Sequence, residues 1–236
     1  MTRSLAATLA AAILPAAIGL ASHARAERSA CDIPESTIEN LQAQLSSAVA
    51  GGNGGLTAVT NSPNRMWSAV VDRAGRLCSV IKIGDAWPGS RAIAIAKAST
   101  ANDFSNIGLA LSTANLYGPT QPSGSLYGLN NSNPFNPALL PQNIGVGYVP
   151  GGIITFGGGV ALYQGGQVIG GLGVSGDTSC ADHAVAYKMR RSAGLNGIPP
   201  GGVGPNGTDN ILYSTTPLVN PATFAHPHCL PSDIMP

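Results

Sequence analysis

Residues 170–177 read G-G-L-G-V-S-G-D, and within them Gly171 to Gly176 spell G-x-G-x-x-G. That spacing is typical of a dinucleotide-binding turn, which requires a parallel strand before the glycines, a crossover helix after them and an acidic residue about 20 positions further on. The corresponding stretch here is N-G-I-P-P at 196–200, which has neither a carboxylate nor an apolar strand. The sequence therefore argues against a nucleotide site.

The same glycines have another meaning in an antiparallel strand. Because side chains alternate between the two faces of a strand, Gly171, Gly173 and Ser175 share one nearly bare face. A row of glycines weakens a strand, so it marks a place where another body approaches the backbone closely. Two occupants are expected: a helix of small residues, such as A-I-A-I-A-K-A at 92–98 or C-A-D-H-A-V-A at 180–186, or a flat ligand held between sheet and helix.

A hairpin followed by a helix is predicted twice along the chain. The first hairpin joins 66–71 to 77–83 through D-R-A-G at 72–75, where the glycine suits a left-handed turn position. The helix after it covers 91–105, with Ser90 as its N-cap. The sequence thus places two strands and a helix next to one another.

The second hairpin joins 160–164 to 167–175 through Gly165 and Gly166, a two-residue turn typical of primed hairpins. The helix after it opens with S-x-x-D at 179–182. The repeated order of hairpin and helix predicts the α+β class, with an antiparallel sheet flanked by helices.

The remaining segments frame this unit. A helix over 36–50 is predicted, because the S-x-x-E capping box at 36–39 precedes apolar residues at helical spacing. The segment 117–159 is rich in Gly, Pro, Asn and Ser and shows no period, which predicts a long irregular insertion. We therefore expect a domain over 27–194 and an irregular C-terminal tail over 195–236, wrapped over the surface.

Residues 1–26 have the pattern of a secretory signal. Arg3 precedes an apolar run at 5–21, and A-R-A at 24–26 offers a small-x-small cleavage site. A membrane anchor needs about 20 unbroken apolar residues, and Pro15 interrupts this shorter run. We expect a periplasmic or secreted protein without a membrane span. Its mature chain has 10 basic and 11 acidic residues, which gives no reason to expect nucleic acid or an anionic membrane as a partner.

Four cysteines follow the signal: Cys31, Cys78, Cys180 and Cys229. An even number in an exported chain suggests disulfides, and four cysteines allow three pairings that the sequence does not separate. The pair Cys31–Cys229, which would tie down both ends, is favoured here. A cysteine metal site is not favoured, because no two of them have the close spacing of a zinc knuckle.

Three segments followed by one acidic residue carry a resemblance to a known family: A-V-V-D-R-A-G-R-L at 69–77, P-G-S-R-A-I-A-I-A-K-A-S-T-A at 88–101, G-G-V-A-L-Y-Q-G-G-Q-V-I-G-G-L-G-V-S-G at 158–176, and Asp182. In this order they resemble the GlcG/HbpS-like heme-binding family, which includes the C-terminal domain of PduO-type adenosyltransferases. The resemblance spans about 36–116 and 158–194. It implies a profilin-like fold, assembly into homo-oligomers, and binding of heme or a related tetrapyrrole.

The family's iron ligand cannot be transferred to this chain. In PduO-type relatives an axial histidine comes from near the first helix, but residues 28–60 contain no histidine. The candidate iron ligands in this chain are His183, His226 and His228. Met66, Met189 and the tyrosines are candidates of second rank. Helical spacing puts His183 on one face with Tyr187 and Arg190, so we expect it to face solvent or a subunit interface. The other two histidines lie in a tail that is expected to be either solvated or anchored by Cys229.

Charged residues on the predicted helices have two interpretations. Arg91, Lys97 and Arg190 are candidates to pair with porphyrin propionates, although isolated basic residues on helices are usually solvated. Asp182 is expected to cap its helix. Together with Gly171, Gly173 and Ser175, residues Arg91 and Lys97 make up the expected tetrapyrrole site.

No catalytic constellation is found in the sequence. It lacks a nucleophile elbow, a paired-carboxylate pattern and a histidine-rich metal motif. The favoured interpretation is an exported heme or tetrapyrrole binder that acts in scavenging, buffering or sensing. Two alternatives remain open: a heme-free oligomeric accessory protein, and a heme-dependent enzyme that degrades heme or reacts with peroxide.

Overall fold

The computed structural model of this chain describes residues 31–60, 65–141, 143–204, 207–216, 218–231 and 233. The predicted signal over 1–26 lies outside these residues. Over the part of the chain described, no helix combines the length and apolar character needed to cross a bilayer.

An antiparallel sheet forms the centre of the fold. Its strands are β1 (Met66–Asp72), β2 (Leu77–Ile83), β3 (Gly159–Gln164) and β4 (Gln167–Ser175). Their order across the sheet is β2-β1-β4-β3, and each neighbouring pair is antiparallel. The α-helices of the described residues are α1 (Glu35–Ala43), α2 (Leu45–Ala50), α3 (Gly55–Thr60), α4 (Ser90–Asp103) and α5 (Ser179–Ser192). The predicted α+β class is confirmed.

Both predicted hairpins are present. Gly165 and Gly166 join β3 to β4 with φ of 57° and 77°, as a type I′ turn requires. Gly75, with φ of 79°, donates its N–H to the Asp72 carbonyl oxygen and turns β1 into β2. The two hairpins meet where β1 pairs with β4, so no parallel crossover follows the glycine stretch.

The helix ends differ from the prediction in their caps. The expected helix over 36–50 is divided at Gln44 into α1 and α2. Its N-cap is Pro34, whose carbonyl oxygen accepts the N–H groups of Thr37 and Ile38. The predicted capping box is therefore wrong, because a proline N-cap has no side-chain oxygen to offer. Helix α4 begins at Ser90 itself. Its N-cap is Gly89, so the predicted N-cap, Ser90, is wrong by one position.

Helix α4 lies directly on the glycine face of the sheet. A Cβ atom added to Gly171 would collide with the Ala98 carbonyl oxygen, and one added to Gly173 with the Ala94 carbonyl oxygen. Ser175, on the same face, is buried. The small-residue helix is thus the occupant of this face, because backbone against backbone leaves no gap for a flat ligand. The prediction that Gly171, Gly173 and Ser175 line a tetrapyrrole slot is wrong for this structure.

The opposite face of the sheet carries the main hydrophobic core. Helices α1, α2 and α5 cover it, and their apolar side chains meet those of the strands: Leu41, Leu45, Val49, Met66, Val70, Val160, Leu162, Leu172, Val174, Val185 and Met189. Met66 and Met189 are both buried in this core. Neither methionine is therefore exposed to ligate iron.

The two disulfides are Cys31–Cys78 and Cys180–Cys229. The predicted pair Cys31–Cys229 is wrong, because the N-terminal cysteine lies beside β2 and the tail cysteine lies beside the first turn of α5. The linked residues are 47 and 49 positions apart in sequence. Loops of this length give each bond about 4 kcal/mol of stabilisation in the chain-entropy model.

The irregular insertion covers the outer surface of α4. Two backbone hydrogen bonds join the insertion to Leu77 at the start of β2. The Leu77 N–H donates to the Tyr148 oxygen, and the Gly147 N–H donates to the Leu77 oxygen. The buried Arg91 guanidinium donates to the carbonyl oxygens of Leu139 and Ile144. Arg91 thus fastens the insertion to α4, and its prediction as a propionate partner is wrong for this structure.

Close contact between helix and sheet makes Gly173 sensitive to any side chain. We expect Gly173→Ala to lower the free energy of unfolding by about 3 kcal/mol, because the new methyl group would push α4 away from the sheet. The matched control is Gly89→Ala, at a position with φ of −65° and no atom within 4 Å of the added Cβ, which we expect to be nearly neutral. Chemical denaturation measures both, and equal stabilities would contradict the packing described above.

Candidate functional site

Three consecutive glycines, 157–159, organise the polar interior. Each backbone N–H donates to a side chain from a different part of the chain: Gly157 to His226 Nε2 at 3.3 Å, Gly158 to His183 Nδ1 at 3.4 Å, and Gly159 to Thr113 Oγ1 at 2.8 Å. This triple-glycine turn therefore connects the C-terminal tail, α5 and the segment after α4 to the start of β3.

Glycine is required in this turn because its surroundings are full. A Cβ atom on Gly158, where φ is 124°, would lie 2.6 Å from both Lys97 Nζ and the Val174 oxygen. One on Gly159 would lie 2.5 Å from the Lys97 oxygen. The turn thus fits tightly between α4 and β4.

Beneath the turn lies a buried ion pair. Lys97, on α4, and Asp182, on α5, are 2.7 Å apart between Nζ and Oδ2, with side chains 0% and 2% exposed. Lys97 Nζ also donates to the Val174 carbonyl oxygen at 3.1 Å, and it lies 5.0 Å from the centre of the Phe156 ring. We call Lys97, Asp182, His183 and His226 the buried polar cluster.

Asp182 also binds the backbone amides at the end of the glycine stretch. Its second oxygen, Oδ1, accepts the N–H groups of Gly176 at 3.0 Å and Asp177 at 2.9 Å. The amides that end G-V-S-G-D therefore bind a carboxylate of the same chain in place of a phosphate. The N-cap of α5 is Thr178, whose side chain accepts the Ala181 N–H, so the prediction that Asp182 caps the helix is corrected: it fixes the preceding turn.

Burial weakens ionisation of both members of the pair. It raises the pKa of Asp182 to about 6, although the charge and hydrogen bond of Lys97 oppose the rise. It lowers the pKa of Lys97, against the attraction of Asp182. Their direct contact and complete burial give Lys97 and Asp182 a structural role between α4 and α5.

Both histidines of the cluster are neutral at pH 7. Burial lowers the pKa of His183 well below its usual value and that of His226 to about 4. His226 Nδ1 lies 2.7 Å from the Pro227 carbonyl oxygen and donates to it, which leaves Nε2 to accept from Gly157. The imidazoles are therefore acceptors for the triple-glycine turn.

The expectation that His183 faces solvent or an interface is wrong. The C-terminal tail covers that face of α5. There the Asp209 carboxylate accepts hydrogen bonds from Nη1 and Nη2 of the buried Arg190 side chain. His226 is also buried, at 1% exposure, so the expectation of a solvated tail is wrong at that position. His228 is exposed, with its ring 4.0 Å from the Tyr213 ring.

Three of the predicted site residues, Lys97, His183 and His226, come together in the cluster, whereas Arg91 and His228 lie elsewhere. Sequence reasoning missed several participants. These are the triple-glycine turn, Thr113 and Asp209, together with the pairing of Asp182. The run G-G-G at 157–159 was visible as a glycine signal, but nothing in T-D-N at 208–210 indicates an ion pair.

The ion pair should resist replacement of one partner alone. Lys97→Met leaves Asp182 buried without its counter-charge, and we expect a loss of about 4 kcal/mol in the free energy of unfolding. Adding Asp182→Asn, which still accepts the two turn amides, should restore part of that loss. A double-mutant cycle by chemical denaturation measures the coupling, and additive effects would contradict a direct interaction.

The buried His226 should also make stability depend on pH. Its pKa is about 4 when folded and about 6.5 when unfolded, so the unfolded chain binds the extra proton between these values. Stability should therefore fall as the pH drops from about 6.5 to about 4, by up to about 3 kcal/mol from this group. The raised pKa of Asp182 makes stability rise as the pH falls, which opposes the effect of His226. The contribution of His226 is therefore isolated by comparing wild type with His226→Gln.

We expect His226→Gln to flatten the pH dependence, because its amide oxygen can accept from Gly157 without titrating. The control His228→Gln removes an exposed histidine and should leave the slope of the wild type unchanged. Unfolding midpoints measured at several pH values check both. Parallel curves for wild type and His226→Gln would contradict a neutral, buried His226.

Comparison with known proteins identifies the family. The model of a family described as "Haem degrading protein HbpS-like" matches residues 43–190. Corrinoid adenosyltransferase PduO of Citrobacter freundii is 31% identical over 123 residues, which make up 50% of this chain and 30% of that protein. The present chain therefore spans less than a third of that relative.

Two solved structures are similar to this chain, and the first of them shares its fold. Klebsiella pneumoniae protein ORFY, of the DUF336 family, is 23% identical with a TM-score of 0.50, over 72% of this chain and 95% of that one. A structure described as a PduOC:heme complex is 24% identical with a TM-score of 0.49, over 68% and 94%. The family match over 43–190 covers more than half of the sequence, and the chain belongs to the HbpS-like family.

Proposed function

We propose that the protein is an exported heme- or tetrapyrrole-binding protein that acts in scavenging, buffering or sensing. The observation that carries heme binding is the HbpS-like family match, whose description names haem. Export is supported by the signal pattern of residues 1–26. Homo-oligomer formation is part of the same proposal, from the resemblance of the sequence to its family.

The interior of the described structure does not fit a porphyrin. Helix α4 occupies the glycine face, and His183 and His226 are buried and bonded to the triple-glycine turn. Arg91 and Lys97 hold carbonyl and carboxylate oxygens of the same chain. We therefore propose that the macrocycle binds at a surface cleft.

Four surface clefts have volumes of 280 to 520 Å³, near the size range of small-molecule sites. In two of them the described lining residues include no histidine, tyrosine, cysteine or methionine: the cleft between α4 and the insertion, and the one beside Arg73. The cleft beside α1 contains Asp32 and Glu35, which disfavour anionic propionates, and its cysteines are joined in a disulfide. Among these four clefts, we propose the remaining one as the heme site.

That fourth cleft, the tail cleft, measures about 510 Å³ and lies between Tyr117 and the tail. Leu218, 84% exposed, and Pro227 contribute apolar surface. Tyr117 is the wall residue able to ligate ferric iron, since a tyrosine can serve as an axial heme ligand. His228 follows Pro227 directly, which makes it the second candidate ligand.

Degradation of heme is the second candidate function, because the family's description names it. Bound heme would supply the oxidative chemistry, while the tail cleft would hold and orient it. The described lining residues are Tyr117, Gln121, Pro122, Leu218, Val219, Asn220, Pro221 and Pro227, none of them an acid or a histidine. Binding without turnover is therefore favoured, and loss of the hemin spectrum under a reductant would support degradation.

Hemin titration of the purified protein tests the proposal. We expect a shifted Soret band at saturation, and Tyr117→Phe should weaken binding by about tenfold or more because an iron ligand is lost. Phenylalanine keeps the ring that packs 4.8 Å from the His226 ring, so the tail should stay in place. The matched control Tyr127→Phe changes another tyrosine, 69% exposed and outside the cleft, and should bind as wild type does.

His228→Ala completes the set, and we expect it to bind hemin like the wild type. If this variant loses affinity and Tyr117→Phe does not, the ligand assignment is reversed. If wild-type protein produces no spectral change at micromolar hemin, heme binding is excluded, and the heme-free accessory protein becomes the better account.

A further inference from the structure

The tail disulfide lies beside a histidine. Cys180 Sγ is 3.9 Å from His226 Nδ1, and the ligand atoms of Cys180, Cys229 and His226 all lie within 4.8 Å of one another. These residues are far apart in sequence, and the fold brings them together at the N-terminal end of α5. Two thiolates and an imidazole are a donor set that suits zinc.

We propose that reduction of the Cys180–Cys229 disulfide creates a zinc site formed by Cys180, Cys229 and His226. A dithiol reductant supplies two electrons and two protons to the S–S bond, which yields two cysteine thiols and an oxidised, cyclic disulfide of the reductant. Zinc then displaces the two thiol protons and binds both sulfurs. The site exists only in the reduced protein, because sulfur in a disulfide is not a thiolate ligand.

The surroundings of the sulfurs favour thiolates. The Cys229 sulfur accepts the Cys180 backbone N–H at 3.2 Å and lies 3.2 Å from Ser179 Oγ, at the start of the 14-residue helix α5. Thiols at a helix N-terminus have a lowered pKa, and a hydrogen bond from N–H stabilises the anion further. The Cα atoms of the two cysteines are 6.0 Å apart, so both side chains are within reach of one ion.

His226 is positioned to complete the site. In tetrahedral zinc coordination a sulfur and a nitrogen ligand lie about 3.6 Å apart, close to the observed 3.9 Å between Cys180 Sγ and Nδ1. Binding through Nδ1 breaks its hydrogen bond to the Pro227 oxygen and moves the proton to Nε2. There the proton can be donated to Ser179 Oγ, 3.4 Å away, and the Gly157 N–H gives up its hydrogen bond to Nε2. Three protein ligands leave the fourth position to a water molecule.

The other disulfide provides an internal control. Cys31, Cys78 and Asp72 are also close together, but no histidine belongs to that group. Both oxygens of Asp72 are engaged: Oδ1 accepts the Arg76 N–H, and Oδ2 accepts the Asp32 N–H and the Arg76 side chain. Reduction should therefore give a zinc site at Cys180–Cys229 and none of comparable affinity at Cys31–Cys78.

The experiment is a zinc titration of the full exported chain, oxidised and reduced, under anaerobic conditions. A phosphine reductant is used because it binds zinc weakly; it takes up the oxygen of a water molecule, and the two hydrogens go to the cysteines. We expect one zinc per chain after reduction and none before. The double variant Cys31→Ser/Cys78→Ser should keep this site, whereas Cys229→Ser should abolish it.

His226 is tested with two readouts. His226→Gln, which retains an acceptor for the Gly157 N–H, should weaken zinc binding by about tenfold or more, with circular dichroism confirming that the fold persists. Cobalt bound to reduced wild type should show thiolate-to-metal charge transfer together with the strong visible bands of a tetrahedral site. Equal zinc binding by oxidised protein, loss of the site in Cys31→Ser/Cys78→Ser, or unchanged affinity in His226→Gln would each overturn the proposal.

Discussion

The rest of the structure depends on the contact between the backbone of α4 and the glycines of β4. Without Cβ atoms at Gly171 and Gly173, the helix comes so close to the sheet that the Ala98 and Ala94 carbonyl oxygens occupy the space a Cβ would need. At this depth Lys97 reaches past the end of β4 and binds Asp182 on α5. A single close approach therefore fixes both the packing of α4 and the position of the buried ion pair.

The ion pair and the two histidines stay buried only if the protein covers them on all sides. In a partly open interior, water would hydrate these polar groups and stabilise an exposed arrangement. The triple-glycine turn forms one wall and donates to His183 and His226. The C-terminal tail forms the last wall, and the Cys180–Cys229 disulfide holds it there. The tail is thus a part of the interior, which explains why polar residues that resemble a ligand site in sequence are unavailable to a ligand.

Local patterns sufficed to predict both hairpins, and helices α4 and α5 to within a residue or two at their starts, because each depends on residues close together in sequence. The same patterns left a helix and a flat ligand both open as the occupant of the glycine face. Burial of His183 was not predictable in this way, because helical spacing cannot reveal a covering segment such as Asp209, which follows beyond the end of the helix. The disulfide pairing failed for the same reason: spacing alone does not say which distant elements meet. Of the predicted site residues, Lys97, His183 and His226 lie together in the buried polar cluster, where they bind groups of the same chain.

The tail segment from His226 to Cys229 has two surfaces with opposite requirements. Inward, His226 is buried and accepts from Gly157, which requires an unprotonated Nε2. Outward, Pro227 contributes to the wall of the tail cleft opposite Tyr117, where a ligand would need an accessible surface. The Tyr117 ring packs against the His226 ring, so a residue of the cleft wall is in direct contact with a residue of the buried polar cluster. A movement of this segment would therefore change the tail cleft and the buried polar cluster together.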